Sequence, residues 1–193
     1  CLVKSKCVQR TEQAAALHTI IDREPVWAWG CDIGNRLIKN DFQHRFRVHH
    51  DPEVDIIYIA TPHSFHHEQA IMCLNNKKAV LCEKPLSVDY KRTLQIVEAA
   101  RNNNTFLMEA MWTRFMPATL KVLELIKEGR IGEVKYIRGD FGDSFPYDPT
   151  SRVYDLKLGA GSILDIGIYP LFLVLLILGK PDEIKSFAHL ANT

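Results

Sequence analysis

From Val54 to Met108, short apolar runs alternate with longer segments whose apolar residues recur at helical spacing. Asp55-Ile56-Ile57-Tyr58-Ile59-Ala60 is rich in β-branched side chains and ends at Thr61-Pro62-His63. Ala79-Val80-Leu81-Cys82 runs without a charge into Glu83-Lys84-Pro85. Apolar runs bounded by turn residues predict strands buried in a parallel sheet. Pro85 has no N–H to give to a ladder, so the second strand should stop there. Thr105-Phe106-Leu107-Met108 predicts a third. Between them, Phe65 to Asn76 carries Ala70, Ile71 and Leu74 at helical spacing. Val88 to Asn102 does the same with Leu94, Val97 and Ala100, and Ser87 fits its N-cap. Strand, helix, strand, helix, strand at these intervals predicts right-handed βαβ units.

After Met108 the alternation stops. Ala118 to Glu128 predicts a helix, preceded by Pro117 and ended by Gly129. Val134 to Phe141 alternates like a half-exposed strand of an antiparallel sheet. Tyr147 to Leu158 is a polar loop. Gly159-Ala160-Gly161 leads to Ser162, a plausible N-cap for a helix from Ile163 to Leu178. That helix is apolar on most sides, which predicts burial. Gly179-Lys180-Pro181 ends it, and Glu183 to Leu190 predicts a further strand. Residues 1–50 are less patterned. Thr11 opens a possible helix through Ile21 that Pro25 stops. Trp27 to Asn35 holds Gly30 and Gly34 but no GxGxxG, so it is either a weak phosphate loop or a plain turn. The expected division is residues 1–108, a dinucleotide-binding domain, and residues 109–193, the start of a second domain.

Composition narrows the function classes. A chain of 193 residues has room for one large domain or one and a part. A net charge of +1 argues against nucleic-acid binding driven by a basic field. Five cysteines without paired spacing predict reduced thiols and a cytoplasmic protein. The apolar run Ile166 to Leu178 is too short to cross a bilayer, and no segment reads as a signal peptide, so no membrane role is expected. No metal site is expected either. The chain begins at Cys1, which suggests a partial chain.

Two places carry candidate chemistry. Lys84 falls at the carboxyl end of a predicted strand, where open α/β sheets bind ligands. It is either a surface lysine after a core strand or a half-buried cation serving as an acid/base or carbonyl polariser. Asp165 and Tyr169 stand at i and i+4 on the apolar helix and so share a face. Asp165 either stabilises its own first turn or anchors a polar cluster, and Tyr169 is either an amphipathic core residue or a proton-transfer group. A cluster of Lys84, Asp165 and Tyr169 would let the ammonium lower the phenol's pKa.

Three motifs in order resemble one family. Leu81-Cys82-Glu83-Lys84-Pro85, Glu109-Ala110-Met111-Trp112-Thr113-Arg114-Phe115 and Gly159 through Tyr169 are similar to those of the Gfo/Idh/MocA oxidoreductases, over about Asp51 to Leu190. Tyr169, where many relatives carry histidine, points to the family's dihydrodiol-dehydrogenase branch. The resemblance implies α/β architecture: a Rossmann-like parallel sheet followed by an α/β domain with an open, predominantly antiparallel sheet that serves as a dimer surface. It implies Lys84, Asp165 and Tyr169 as catalytic residues, with Tyr169 the proton donor or acceptor. It implies cofactor contacts at Ala60, Thr61, Pro62, His63, His66, Glu83, Lys84, Trp112 and Arg114, and a substrate pocket lined by Trp112, Phe141 and Tyr169. The implied cofactor is NADP, with NAD possible. The implied reaction moves hydride between nicotinamide and a cyclic trans-diol or sugar hydroxyl, as in dihydrodiol and D-xylose oxidation, in a homodimer of the complete protein. The competing expectation is a truncated, impaired member that keeps the pocket residues and binds dinucleotide weakly.

Overall fold

The computed structural model describes residues 2–3 and 48–188. The helix expected from Thr11 and the glycine-containing turn at Trp27 to Asn35 lie outside them. The chain divides into two compact units, Cys1–Thr61 with Phe65–Glu109, and Pro62–Ser64 with Ala110–Thr193.

The first unit is a four-stranded sheet with helical crossovers. Its strands are β1 (Leu2–Val3), β2 (Ile56–Ile59), β3 (Ala79–Glu83) and β4 (Leu107–Ala110), in that spatial order. β2 and β3 pair in parallel, Ile56 opposite Ala79 and Ile59 opposite Cys82. The helix α1 (His63–Asn75) joins them, and α2 (Tyr90–Asn103) joins β3 to β4. The Val80 N–H donates to Phe106 O at 2.9 Å, at the start of β4. This is the expected Rossmann-like α/β arrangement. β1 pairs antiparallel to β2, Leu2 opposite Ile57, as an edge strand that the sequence pattern did not predict.

Burial explains the elements. Val80 and Cys82 alternate along β3 as its fully buried positions and pack with Ile59, Ala70, Cys73, Leu74, Leu86, Ile96 and Ala100. Burying a side chain such as Leu74 or Ile96 contributes roughly 1.5–3 kcal/mol, so these few residues decide how the helices seat. Two details of α2 differ from expectation. Its N-cap is Asp89, whose carboxylate accepts from the Arg92 N–H at 2.9 Å, and Ser87 lies buried ahead of it. Its inward residues are Ile96 and Ala100, while Leu94 stays partly exposed. Asn104 ends the helix in the left-handed region at φ 50°, its N–H returning to Ala100 and Arg101 carbonyls.

The second unit is helical and extended. A 3₁₀ turn, Trp112–Phe115, precedes α3 (Pro117–Lys127), which has proline in its first turn as expected. A 3₁₀ turn at Leu156–Leu158 is capped by Asp155, which accepts from the Lys157 N–H. A π turn, Ile163–Gly167, runs into α4 (Ile168–Leu178). Gly161 sits at φ 124°, a conformation that L side chains rarely adopt, so the glycine before this helix is required by the backbone.

Four expectations fail in this unit. Residues 134–141 form no ladder, and neither do residues 183–188; residues 189 and 190 lie outside the description. A strand must place its N–H and C=O groups on a neighbour, and among the described residues of this unit neither segment has one, so they show no antiparallel sheet there. Ser162 makes no side-chain cap bond to the helix it precedes. α4 is not buried: Leu171, Leu175 and Leu178 are 50%, 51% and 45% exposed. By length and composition alone Leu156–Leu178 is apolar enough to cross a membrane. Non-helical backbone at Gly159–Gly161 nevertheless divides that stretch, leaving a five-residue π turn and an eleven-residue α-helix.

Candidate active site

In the first unit, β2, β3 and β4 all end at one edge. β4 starts beside Val80 and carries Glu109 near its far end, which reaches beyond the end of β3 to accept from the Leu86 N–H at 2.7 Å. That edge presents Ala60 exposed, with Thr61 and Lys84 half-buried. Thr61 donates from Oγ1 to Gln69 at 2.8 Å. Lys84 is the last residue before a cis peptide to Pro85.

Glu83 is held on the sheet. Tyr58 donates its phenol proton to Oε1, and the Lys84 N–H donates to Oε2 at 3.3 Å. Burial, and after it the Glu83 charge, push the Tyr58 phenol far above its ordinary value, so it stays a donor. His66 is fully buried, and its two ring nitrogens face the Pro85 and Thr61 carbonyl oxygens, both at 2.8 Å. Its imidazole thus meets main chain at both nitrogens. The carboxyl of Glu109 lies above the usual carboxylate range, chiefly because it is buried. Sequence reasoning quoted Glu109 within a motif and gave it no role. The available signal was an acidic residue inside an otherwise apolar strand.

The second unit gathers the aromatic residues. Trp112 donates its indole N–H to the Tyr169 hydroxyl at 3.1 Å. Trp112 and Phe141 stand edge-on to the Tyr169 ring, with centroids 5.9 and 5.6 Å away. Phe141 arrives on the extended segment over α4. At Gly139 of that segment a Cβ would meet the Pro170 side chain at 2.8 Å, so glycine permits the approach. Arg114 shares the 3₁₀ turn with Trp112 and is exposed.

Asp165 is 8% exposed and accepts from Arg152 Nη1 at 3.1 Å. Arg152 was missed by sequence reasoning because the pair forms through a loop, not through helical spacing. His63 is buried, its ring Nδ1 3.0 Å from Gly159 O, which ties it to the loop preceding the π turn. Of the expected catalytic residues, Lys84 belongs to the first unit, and Asp165 and Tyr169 to the second.

The first-unit edge suits a nicotinamide dinucleotide. It offers small or short side chains at Ala60 and Thr61, where a flat ring can approach, and the Lys84 cation at the next strand end. Among the described residues no His, Cys, Asp and Glu grouping fits a metal ion.

A family model described as "Oxidoreductase family, NAD-binding Rossmann fold", Gfo/Idh/MocA, matches residues 7–111, and the same family's C-terminal domain model matches residues 119–193. The chain belongs to the Gfo/Idh/MocA oxidoreductase family. It is similar to trans-1,2-dihydrobenzene-1,2-diol dehydrogenase of Danio rerio, 43% identical over 138 residues that cover 70% of this chain and 41% of that protein. Among solved structures it is similar to aldose-aldose oxidoreductase from Caulobacter crescentus, solved with glycerol, at TM-score 0.61, 27% identity, 72% of this chain and 41% of that one. It is also similar to a 3-ketoreductase from Actinomadura kijaniata in complex with TDP-benzene and NADP, at TM-score 0.55, 26% identity, 72% of this chain and 40% of that one. This Gfo/Idh/MocA chain thus spans less than half the length of each of these relatives.

Proposed function

We propose that this Gfo/Idh/MocA chain carries the reacting residues of an NADP-dependent dehydrogenase for a cyclic trans-diol or a sugar hydroxyl. The observation that carries the reading is the Tyr169 phenol, bonded by the Trp112 indole and flanked by the Phe141 ring. An aromatic-walled phenol suits an alcohol on a ring: the edges pack the carbon skeleton while the hydroxyl exchanges a proton. A bound nicotinamide supplies or accepts the hydride. Tyr169 takes the alcohol proton in oxidation and returns it in reduction. The indole N–H, a pure donor, meets the phenol oxygen where negative charge develops as that proton leaves. Lys84 supplies a fixed positive charge at the cofactor edge, and Arg152 holds Asp165 in its first-turn position beside the Tyr169 helix face.

NADP in preference to NAD is supported by the cofactor in the 3-ketoreductase complex, and the diol or sugar class by the printed names of the relatives. A cytoplasmic homodimer of the complete protein belongs to the same reading and rests on the unpaired cysteine pattern and on the family resemblance. The test is a fluorescence titration with NADPH and NADH, followed by NADP reduction assays with trans-1,2-dihydrobenzene-1,2-diol and with D-xylose. Micromolar NADPH binding with turnover of either alcohol is expected. NADPH binding without turnover of any ring alcohol would remove the dehydrogenase assignment. No binding at all would favour a chain that keeps its pocket residues without a working dinucleotide site.

A further inference from the structure

The peptide that follows Lys84 is gripped at both of its polar atoms. His66 Nδ1 lies 2.8 Å from the Pro85 carbonyl oxygen. Glu109 Oε1 lies 2.7 Å from the Leu86 nitrogen. The Pro85 C=O and the Leu86 N–H belong to one peptide group, so one side chain from α1 and one from β4 hold the same rigid plane. The other His66 nitrogen, Nε2, lies 2.8 Å from the Thr61 carbonyl oxygen at the end of β2. Carbonyl oxygens only accept, so the ring N–H of His66 donates to the one its tautomer faces. His66 is wholly buried, Pro85 and Leu86 are buried, and Glu109 is half-buried.

We propose that His66 and Glu109 are positioning residues: together they lock the Pro85–Leu86 peptide to the ends of β2 and β4 and so fix the direction in which Lys84 leaves the sheet. A lysine has four rotatable side-chain bonds, and a strand end is where a ladder no longer holds the backbone. Past Glu83 the β3 ladder has ended. The clamp replaces it with side-chain contacts to main chain at three points, two at His66 and one at Glu109. This deepens the reading in which Lys84 supplies the charge at the cofactor edge, and it rests on that reading.

The test compares Glu109→Ala, Glu109→Gln and His66→Phe with Lys84→Met. Three quantities are measured: hydrogen exchange at the Leu86 amide, the rate of Lys84 labelling by an amine reagent followed by mass spectrometry, and kcat beside NADPH Kd. Glu109→Ala is expected to speed Leu86 exchange about tenfold, since the side-chain acceptor of that N–H is lost. It should also raise Lys84 labelling and lower kcat more than it weakens NADPH binding. Glu109→Gln, which keeps the Oε1 acceptor, should recover most of the Leu86 protection. A purely structural role would shift the melting temperature without this rescue or this split. If Glu109→Ala does not melt cooperatively, Glu109→Asp replaces it: the charge stays but falls short of Leu86.

Leu86 exchange and Lys84 labelling within twofold of the parent in the alanine or aspartate variant would overturn the proposal. So would a looser Lys84 with unchanged kcat in a protein whose turnover Lys84→Met abolishes. If Lys84→Met itself leaves turnover intact, the reading of Lys84 fails, and the catalytic part of the proposal fails with it, whatever the exchange data show.

Discussion

The indole N–H of Trp112 donates to the hydroxyl of Tyr169 at 3.1 Å across 57 residues of chain. An indole can only donate, so the phenol accepts in this pair and its own proton is not consumed by it. A donor held at that oxygen interacts more strongly with it as negative charge grows there, which is the need of a group that gives up and takes back a proton.

Tyr169→Phe is expected to lower kcat about 10² to 10⁴-fold, the usual worth of a positioned proton-transfer group, with NADPH Kd nearly unchanged. Trp112→Phe keeps an aromatic edge but removes the donor, and is expected to show a smaller loss of the same kind. Steady-state kinetics and fluorescence titration on the same preparations check both. Activity of Tyr169→Phe within a few-fold of the parent would take the phenol out of the mechanism.

Lys84→Met keeps the aliphatic stem and removes the charge. Both kcat and NADPH affinity are expected to fall. An altered pH–rate profile at nearly full rate would mean that Lys84 only tunes its neighbours, and no change in either quantity would mark it as a surface lysine.

Glu109 makes stability depend on pH. Its folded-state value is raised by burial above the ordinary 4.5. A raised value means that the folded state favours the protonated form. The associated stability is therefore fully present below about 4.5 and is lost as pH rises through the folded value. Glu109→Gln removes this titration. Chemical denaturation from mildly acidic to neutral pH should show the variant gaining on the parent as pH rises; parallel curves would contradict the burial of an ionising Glu109.

Cys73 and Cys82 should resist alkylation in the native protein. Both are buried; burial pushes the Cys73 thiol to about 11 and the Cys82 thiol higher still, so thiolate is scarce at neutral pH. Iodoacetamide labelling with mass spectrometry is expected to modify both only in denaturant. Rapid labelling of Cys82 without unfolding would show that the β3 core opens locally.

The second unit should associate through α4. Leu171, Leu175 and Leu178 leave a large apolar face in water. Size-exclusion chromatography is expected to show concentration-dependent assembly, reduced by Leu171→Lys with Leu175→Lys. A monodisperse monomer for the parent chain would refute this.

Local order was legible from residue pattern where one element settles its own state. The β-branched run at Ile56–Ile59, the apolar run ending before Lys84–Pro85, and Pro117 at the start of α3 each carry their signal within a few residues. So do the motifs that place Lys84 at a strand end and Tyr169 on a helix. The site's partners are of another kind. His66 meets Thr61 and Pro85, Glu109 meets Leu86, and Arg152 meets Asp165 only because the chain has closed on itself. No local periodicity encodes which carbonyl a buried imidazole will face. The same limit explains the misses. Val134 to Phe141 alternates like a strand, but alternation specifies a face, whereas a strand also needs a neighbour for its N–H and C=O groups, and that neighbour is a tertiary fact. The apolar helix to Leu178 shows that hydrophobic composition sets how much a segment gains by burial, while only the packed structure decides whether anything covers it.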